Sequence, residues 1–351
     1  MRHGRARLLP SRSLKDQMLP ERADQIISRL KEFQQEIRRT LMRARSQSAL
    51  HAVSRSSVAD TIYSLDTHVE PLMEAFFREW GKRTPLVLVA EGLHDDQGRE
   101  GAVVYPRGAS EEEARLRIIV DPVDGTRELM YDKRAAWSLV GVAPNKGAQT
   151  SLRDIEISLM TELPTSKMGY GDVLWAAKGQ GASAIRVDLK SEDEEPLALQ
   201  PSTATGLDHG FASITNFFPS TKVLASELME HLVRNLIGPA DVTQATVFDD
   251  QYISTGGQFY ELIVGHDRFN ADLRPLFYRM QKQPPGLCCH PYDCATWLIA
   301  EEAGVLLTDA LGQPLDGPFD TTTPLSWAGY ANPTLRQRIE PLLTAFLRQG
   351  L

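Results

Sequence analysis

One stretch constrains this chain more than any other: Ile118 to Leu129, IIVDPVDGTREL. Its β-branched run, Ile118, Ile119 and Val120, suits a buried strand. Pro122 fixes φ and cannot donate a ladder hydrogen bond, so the strand is expected to stop there and leave Asp121 and Asp124 at its end. Two carboxylates three residues apart on a rigid turn can share a hard cation such as Mg²⁺, which takes oxygen ligands. Gly125 lets backbone approach closely. Thr126 supplies a hydroxyl and heads a stretch able to open a helix, whose first amides would face an anion with the helix dipole behind them. A surface Asx turn would explain D-P or D-G alone. Five fixed residues in D-P-x-D-G-T arise by chance in only about one in 10⁴ chains of this length at average usage.

Three other places offer carboxylates. The apolar strand Pro85 to Ala90, PLVLVA, delivers Glu91 at its end; an isolated glutamate there would simply be solvated. Asp60 and Asp66 stand in a D-x(5)-D loop before a helix marked by Val69, Leu72, Met73, Phe76 and Phe77 and closed by Gly81. Asp293 precedes a helix with Ala295, Leu298, Ile299, Ala300 and Ala303 on its buried face and Gly304 after its end; as an N-cap it would do no more than satisfy helix amides.

These four motifs, in this order, resemble the Mg²⁺-dependent, often lithium-sensitive phosphatases that include inositol monophosphatase, bisphosphate nucleotidase and fructose-1,6-bisphosphatase. DPVDGT looks like their signature. Ala90-Glu91-Gly92 stands where the family has G-E-E and keeps the first glutamate. Asp60 matches the first aspartate of D-x-V-T-x-x-D, while Tyr63 replaces its threonine. In the W-D-x-A-A segment Tyr292 replaces the tryptophan and Asp293 is kept.

The resemblance implies an α+β and α/β chain folded as a layered αβαβα sandwich, with a site in the cleft between its halves. It implies Mg²⁺ as cofactor, held by Glu91, Asp121, the Val123 carbonyl, Asp124 and Asp293. It also implies attack by a water that Glu91 and Thr126 hold and deprotonate, with Asp60 orienting Thr126. Asp124 and the amides of Gly125 and Thr126 would meet the substrate phosphate. The expected function is phosphomonoester hydrolysis of a small phosphorylated metabolite; alternatives are a 3'(2'),5'-bisphosphate nucleotidase, a sugar bisphosphatase, or a non-catalytic metal- or phosphate-binding relative. Inositol-specific members carry a glutamate seven residues before the last aspartate, where this chain has Gly286. A more anionic substrate than inositol monophosphate is therefore expected.

The rest of the chain frames that site. Residues 1–20 read as a disordered basic tail, 21–200 as an N-terminal α+β half and 201–351 as a C-terminal α/β half. Arg22 to Arg45 has helical apolar spacing. AAWSLVGVAP and IEISLMTELP read as strands, GYGDVLWAAKGQGASAIRV as a hairpin turning at Lys178 to Ala182, and SEDEE as a solvated loop. Further on, FASITNFF reads as a strand, VLASELMEHLVRNLI as a helix and GQFYELIVG as another strand. Asp267 to Pro285, with Arg268, Arg274, Arg279 and Lys282, reads as a helical surface insertion.

A net charge of −8 argues against wholesale nucleic-acid binding. No run of 18 apolar residues suits a membrane. Three cysteines without a C-x-x-C pattern fit reduced thiols in the cytoplasm and make zinc a poor choice. A homodimer is allowed for.

Overall fold

Among the described residues, two large sheets and three tiers of helix stack into five layers. The computed structural model of the chain describes residues 19–47, 53–56, 61–63, 66–94, 100–239 and 243–350; the Asp60 position and nearly all of the basic tail lie outside them. The first tier is α1 (Ala23–Gln47) and α2 (Asp66–Gly81), with a small hairpin of β1 (Val53–Ser56) and β2 (Thr61–Tyr63) between them. Phe33 of α1 stacks on Phe76 and meets Phe77 edge-on, with ring centroids 4.8 and 5.1 Å apart.

Beneath them lies an eight-stranded sheet built from β3 (Leu86–His94), β4 (Glu100–Tyr105), β5 (Leu116–Asp124), β6 (Ala136–Pro144), β7 (Ile157–Leu163), β8 (Tyr170–Ala177), β9 (Ala182–Asp188) and β10 (Glu194–Pro196), with α3 (Thr126–Met130) after β5. Its order is β10-β9-β8-β7-β6-β5-β3-β4, and only β3 and β5 run parallel. Alternation sorts their side chains: Leu88, Ala90, Ile118 and Val120 pack under α1 and α2, while Val87, Val89 and Ile119 face the other way into the second core. Each buried branched side chain is worth roughly 1.5–3 kcal/mol, so both faces hold the strand that carries the two aspartates.

The second sheet comprises β11 (Gly210–Ile214), β12 (Val247–Phe248), β13 (Asp267–Asp272), β14 (Leu306–Asp309) and β15 (Trp327–Tyr330), ordered β12-β11-β13-β15-β14. Two helices, α5 (Thr255–Ile263) and α7 (Trp297–Glu302), contact both sheets, and α4 (Lys222–Leu236) and α8 (Pro333–Gly350) contact the second. The short α6 (Arg274–Met280) follows β13. No helix among the described residues is long and apolar enough to cross a membrane.

Several elements differ from the sequence reading. The stretch GQFYELIV is the helix α5, because Ser254 caps it by accepting the Gly257 N–H, and Phe259, Leu262 and Ile263 bury one face at helical spacing. The 267–285 region is not a surface insertion: Asp267–Asp272 is the central strand of the second sheet. Glu91 lies inside β3, which runs on to His94, and β5 runs through Pro122 to Asp124. The last two residues of SEDEE, Glu194 and Glu195, pair with β9 together with Pro196 as β10.

Candidate active site

A bulge in β5 makes the floor of a cleft. Asp121 stands opposite Leu139 and Asp124 opposite Trp137, so three steps along β5 face two along β6. The extra residue absorbs Pro122, which lacks the N–H a regular ladder needs. The Val123 N–H donates to Asp121 Oδ1 at 3.0 Å, and Thr126 Oγ1 donates to the Val123 carbonyl at 2.7 Å. Gly125 has φ 97°, and a Cβ there would stand 3.2 Å from that of Ser254. The left-handed conformation alone disfavours a side chain by roughly 1–2 kcal/mol.

Asp293 reaches the same place from a 3₁₀ turn, Pro291–Cys294, where its Oδ2 accepts the His290 N–H at 2.6 Å. The turn, not an N-cap of α7, therefore fixes it. One carboxylate oxygen from each of Asp121, Asp124 and Asp293 lies within 4.8 Å of the others. Burial, reinforced by Asp124, Asp293 and Glu91, drives the Asp121 carboxyl well up from its ordinary range. Burial also pushes Asp124 up to about 7, although bonds from Gly256, Ser254 and Thr255 hold it down. Asp293 rises through burial first and Asp124 second. Three like charges this close, two buried and one half-buried, repel one another, and an all-oxygen donor set of this kind fits a hard divalent cation.

Glu91 stands in the same cleft but outside that trio, and its Oε2 accepts the Tyr292 hydroxyl at 3.2 Å. Gly125 and Thr126 also line the cleft. Of the four basic residues in the 267–285 region, Arg274 alone among the described cleft residues lines it. It forks onto Asp272 and donates to the Leu287 carbonyl, so its charge is largely spent inside the protein. Its guanidinium also sits 5.0 and 5.4 Å from the Phe217 and Phe218 rings. Gly286 turns toward the Tyr278 ring, where a Cβ would come within 2.8 Å.

Sequence reasoning missed the turn Ser254-Thr255-Gly256-Gly257. Ser254 Oγ donates to Asp124 Oδ2 at 2.9 Å and the Gly256 N–H to the same oxygen at 2.6 Å. A serine three residues before a glycine, followed by apolar residues at helical spacing, was the available signal. The K-G-x-G-A turn is remote in role: Gly179 and Gly181 N–H donate to Glu302 at the end of α7, at 2.6 and 2.7 Å.

Five layers and a carboxylate-floored cleft where β5 ends define the chain as an inositol monophosphatase-like sandwich. No protein-family profile and no curated protein sequence matches it. Solved structures do match. Leishmania major fructose-1,6-bisphosphatase in its holo form superposes with a TM-score of 0.65 and 13% identity, covering 91% of this chain and 92% of that one. Thermotoga maritima IMPase TM1415 gives 0.60 and 12%, covering 93% and 100%. The extragenic suppressor protein suhB from Bartonella henselae gives 0.60 and 15%, covering 91% and 98%. At such identities the likeness is one of fold, and the chemistry must be argued from the residues.

Proposed function

We propose that the chain is a Mg²⁺-dependent phosphomonoesterase acting on a small phosphorylated metabolite. The observation that carries this is the convergence of buried Asp121 and Asp124 and half-buried Asp293 within 4.8 Å, beside the turn that presents Gly125 and Thr126. Asp121, Asp124 and Asp293 would hold Mg²⁺, with Glu91 and the Val123 carbonyl at the margin. Bound there, Mg²⁺ would supply Lewis acidity and a water acidic enough to attack phosphorus. The chain's own residues would do the rest. Thr126, whose hydroxyl proton is on Val123, can only accept a hydrogen bond, so it is suited to orient a water whose proton the Glu91 carboxylate would take. The amides of Gly125 and Thr126 would receive phosphate oxygens at the start of α3. No side chain is required as a nucleophile.

Two features favour a substrate with a second anionic group over a polyol monophosphate. Gly286 offers no acceptor for hydroxyls, and the cleft wall carries Arg127 beside the Phe218 ring. A nucleotide or sugar bisphosphate is the second reading on that ground. The proposal extends to a cytoplasmic protein, consistent with three free, buried thiols, and leaves a homodimer open to measurement by light scattering. The decisive experiment is phosphate release from a panel of monoesters and bisphosphates with Mg²⁺, with Ca²⁺ and with chelator. Release that is independent of Mg²⁺, or none from any ester, would refute the proposal. Calcium should inhibit, because its longer and looser coordination misplaces the water.

A further inference from the structure

Asp124 is held from across the cleft, and the support does not end at Ser254. The Ser254 hydroxyl that donates to Asp124 accepts the Gly257 N–H at 2.8 Å, which fixes the direction of its own proton. Gly257 rests on the ring of Tyr252: a Cβ there would lie 2.4 Å from two ring carbons. Tyr252 is 4% exposed, and its hydroxyl is doubly used, donating to the Ala135 carbonyl at 2.8 Å and accepting from Trp137 Nε1 at 2.9 Å. Trp137 is the residue opposite Asp124 in the β5–β6 ladder. On the other side Arg134 lies 3.6 Å from the Tyr252 ring centroid and pairs with Asp250 and Glu261, both at 2.8 Å. The ring is therefore held by β6 at its hydroxyl and by a guanidinium on its face, and the turn carrying Ser254 and Gly256 is seated on it.

We infer that Tyr252 is a positioning residue for the cation site: it sets the Ser254–Gly257 turn, and through it the orientation of the Asp124 carboxylate. The inference rests on Asp124 being a cation ligand, as proposed above. Two donors from this turn fall on Asp124 Oδ2 and set the tilt of the carboxylate, and a carboxylate misplaced by a fraction of an ångström loses the geometry that Mg²⁺ demands. The Tyr252 hydroxyl is already engaged by Ala135 and Trp137, and burial drives its phenol well above its ordinary range, which suits a positioning role.

The test is Mg²⁺ titration of the full chain by calorimetry, with the Mg²⁺-induced rise in Tm as a second readout. Tyr252→Phe keeps the ring and removes the hydroxyl; it should raise the half-saturating Mg²⁺ by roughly 3- to 10-fold, the range seen for loss of outer partners of metal ligands. Ser254→Ala should do the same, and the double variant should be no weaker than Ser254→Ala alone within about 2-fold, because the two act in series. Tyr330→Phe, which removes the hydroxyl of a buried tyrosine in the second sheet, should leave the Mg²⁺ curve unmoved whatever its effect on Tm. A Tyr252→Phe protein with lower Tm and a wild-type Mg²⁺ curve would reduce Tyr252 to a core residue and overturn the inference. Additive effects with Ser254→Ala would also overturn it. Should Tyr252→Phe not fold, Arg134→Met, which frees the ring face, carries the same expectation and the same refutation. A wild-type chain that binds no Mg²⁺ would remove the cation reading and this inference together, whereas Mg²⁺ binding with no phosphatase activity would leave this inference standing.

Discussion

Two turns face each other across the cleft and work by opposite means. The turn Asp121 to Thr126 brings in charge: two buried aspartates, in a strand bulge, with a glycine at positive φ. The turn Ser254 to Gly257 brings in donors: one hydroxyl and the amides at the head of α5, aimed at Asp124. Neither is tenable alone. A cluster of buried carboxylates would be protonated or would push the structure apart without compensation, and a helix N-terminus with inward amides needs an acceptor. A site assembled from two halves of a chain therefore needs complementary chemistry on both sides of the cleft, one side ionic and the other made mostly of backbone.

The largest test of that comparison removes a charge from the ionic side. Asp124→Asn keeps an acceptor for Ser254 and Gly256 but loses the ligand charge, and turnover should fall at least ~10²-fold. The same change relieves repulsion among three clustered carboxylates, so Tm without Mg²⁺ should rise while the rise on adding Mg²⁺ shrinks. Wild-type-like turnover would remove Asp124 from the cation site.

Next in size is a blow to the donor side. Gly257→Ala places a methyl 2.4 Å from the Tyr252 ring, an overpacking that typically costs ~1–3 kcal/mol. Urea denaturation should show that loss, together with weakened Mg²⁺ binding. A stable Gly257→Ala protein with unchanged Mg²⁺ affinity would mean that the turn can move without disturbing Asp124.

How legible each side is in the sequence follows from the same contrast. The ionic turn writes itself in residue types, since only aspartate, glycine and threonine at fixed spacing give that chemistry, and Asp121, Asp124, Glu91 and Asp293 are brought to one cleft. The donor turn works through amides that every residue owns. S-T-G-G therefore carried little weight beside the β-branched and aromatic letters that followed, and α5 was read as a strand. Likewise Arg274 reads as one more surface cation until Asp272, two residues earlier, is seen to fold back onto it. Local propensity ends the strand at Pro122, because a bulge is a property of the pairing partner, which propensity does not contain.

A smaller effect is expected at Thr126, where the two kinds of contribution can be separated. Thr126→Ala removes an acceptor assigned to the attacking water, so kcat should fall by about 10- to 100-fold, within the usual range for a positioned proton-transfer group. Mg²⁺ affinity should change little. Steady-state kinetics beside calorimetry decides it: lost Mg²⁺ affinity with normal single-turnover chemistry at saturating metal would assign Thr126 to the metal instead.

The smallest effect lies beneath both turns, in a half-buried acid that neither uses. Glu162 of β7 stands opposite Trp137 and accepts the Asp172 N–H at 3.1 Å. Asp172 is held by Arg186 at 2.8 and 2.9 Å and by the Tyr260 hydroxyl of α5 at 2.6 Å. Burial, with the Asp172 charge added, pushes the Glu162 carboxyl up from an ordinary 4.5 to about 8. Between those values the folded protein holds a proton that the unfolded chain has released. Stability therefore falls as pH rises from about 4.5 to about 8 and is flat beyond. Glu162→Gln cannot titrate and keeps an oxygen acceptor for Asp172. It should match wild type near pH 4.5 and exceed it at pH 8, by ~1–2 kcal/mol once relaxation around a buried charge is allowed for. Asp267, which burial raises to about 6, contributes the same sign in both proteins, so only the difference between the two denaturation series counts. If that difference were constant from pH 5 to 8, Glu162 would be ionised throughout, and the polar layer linking β7 to α5 would be an ion-paired network rather than one holding a neutral acid.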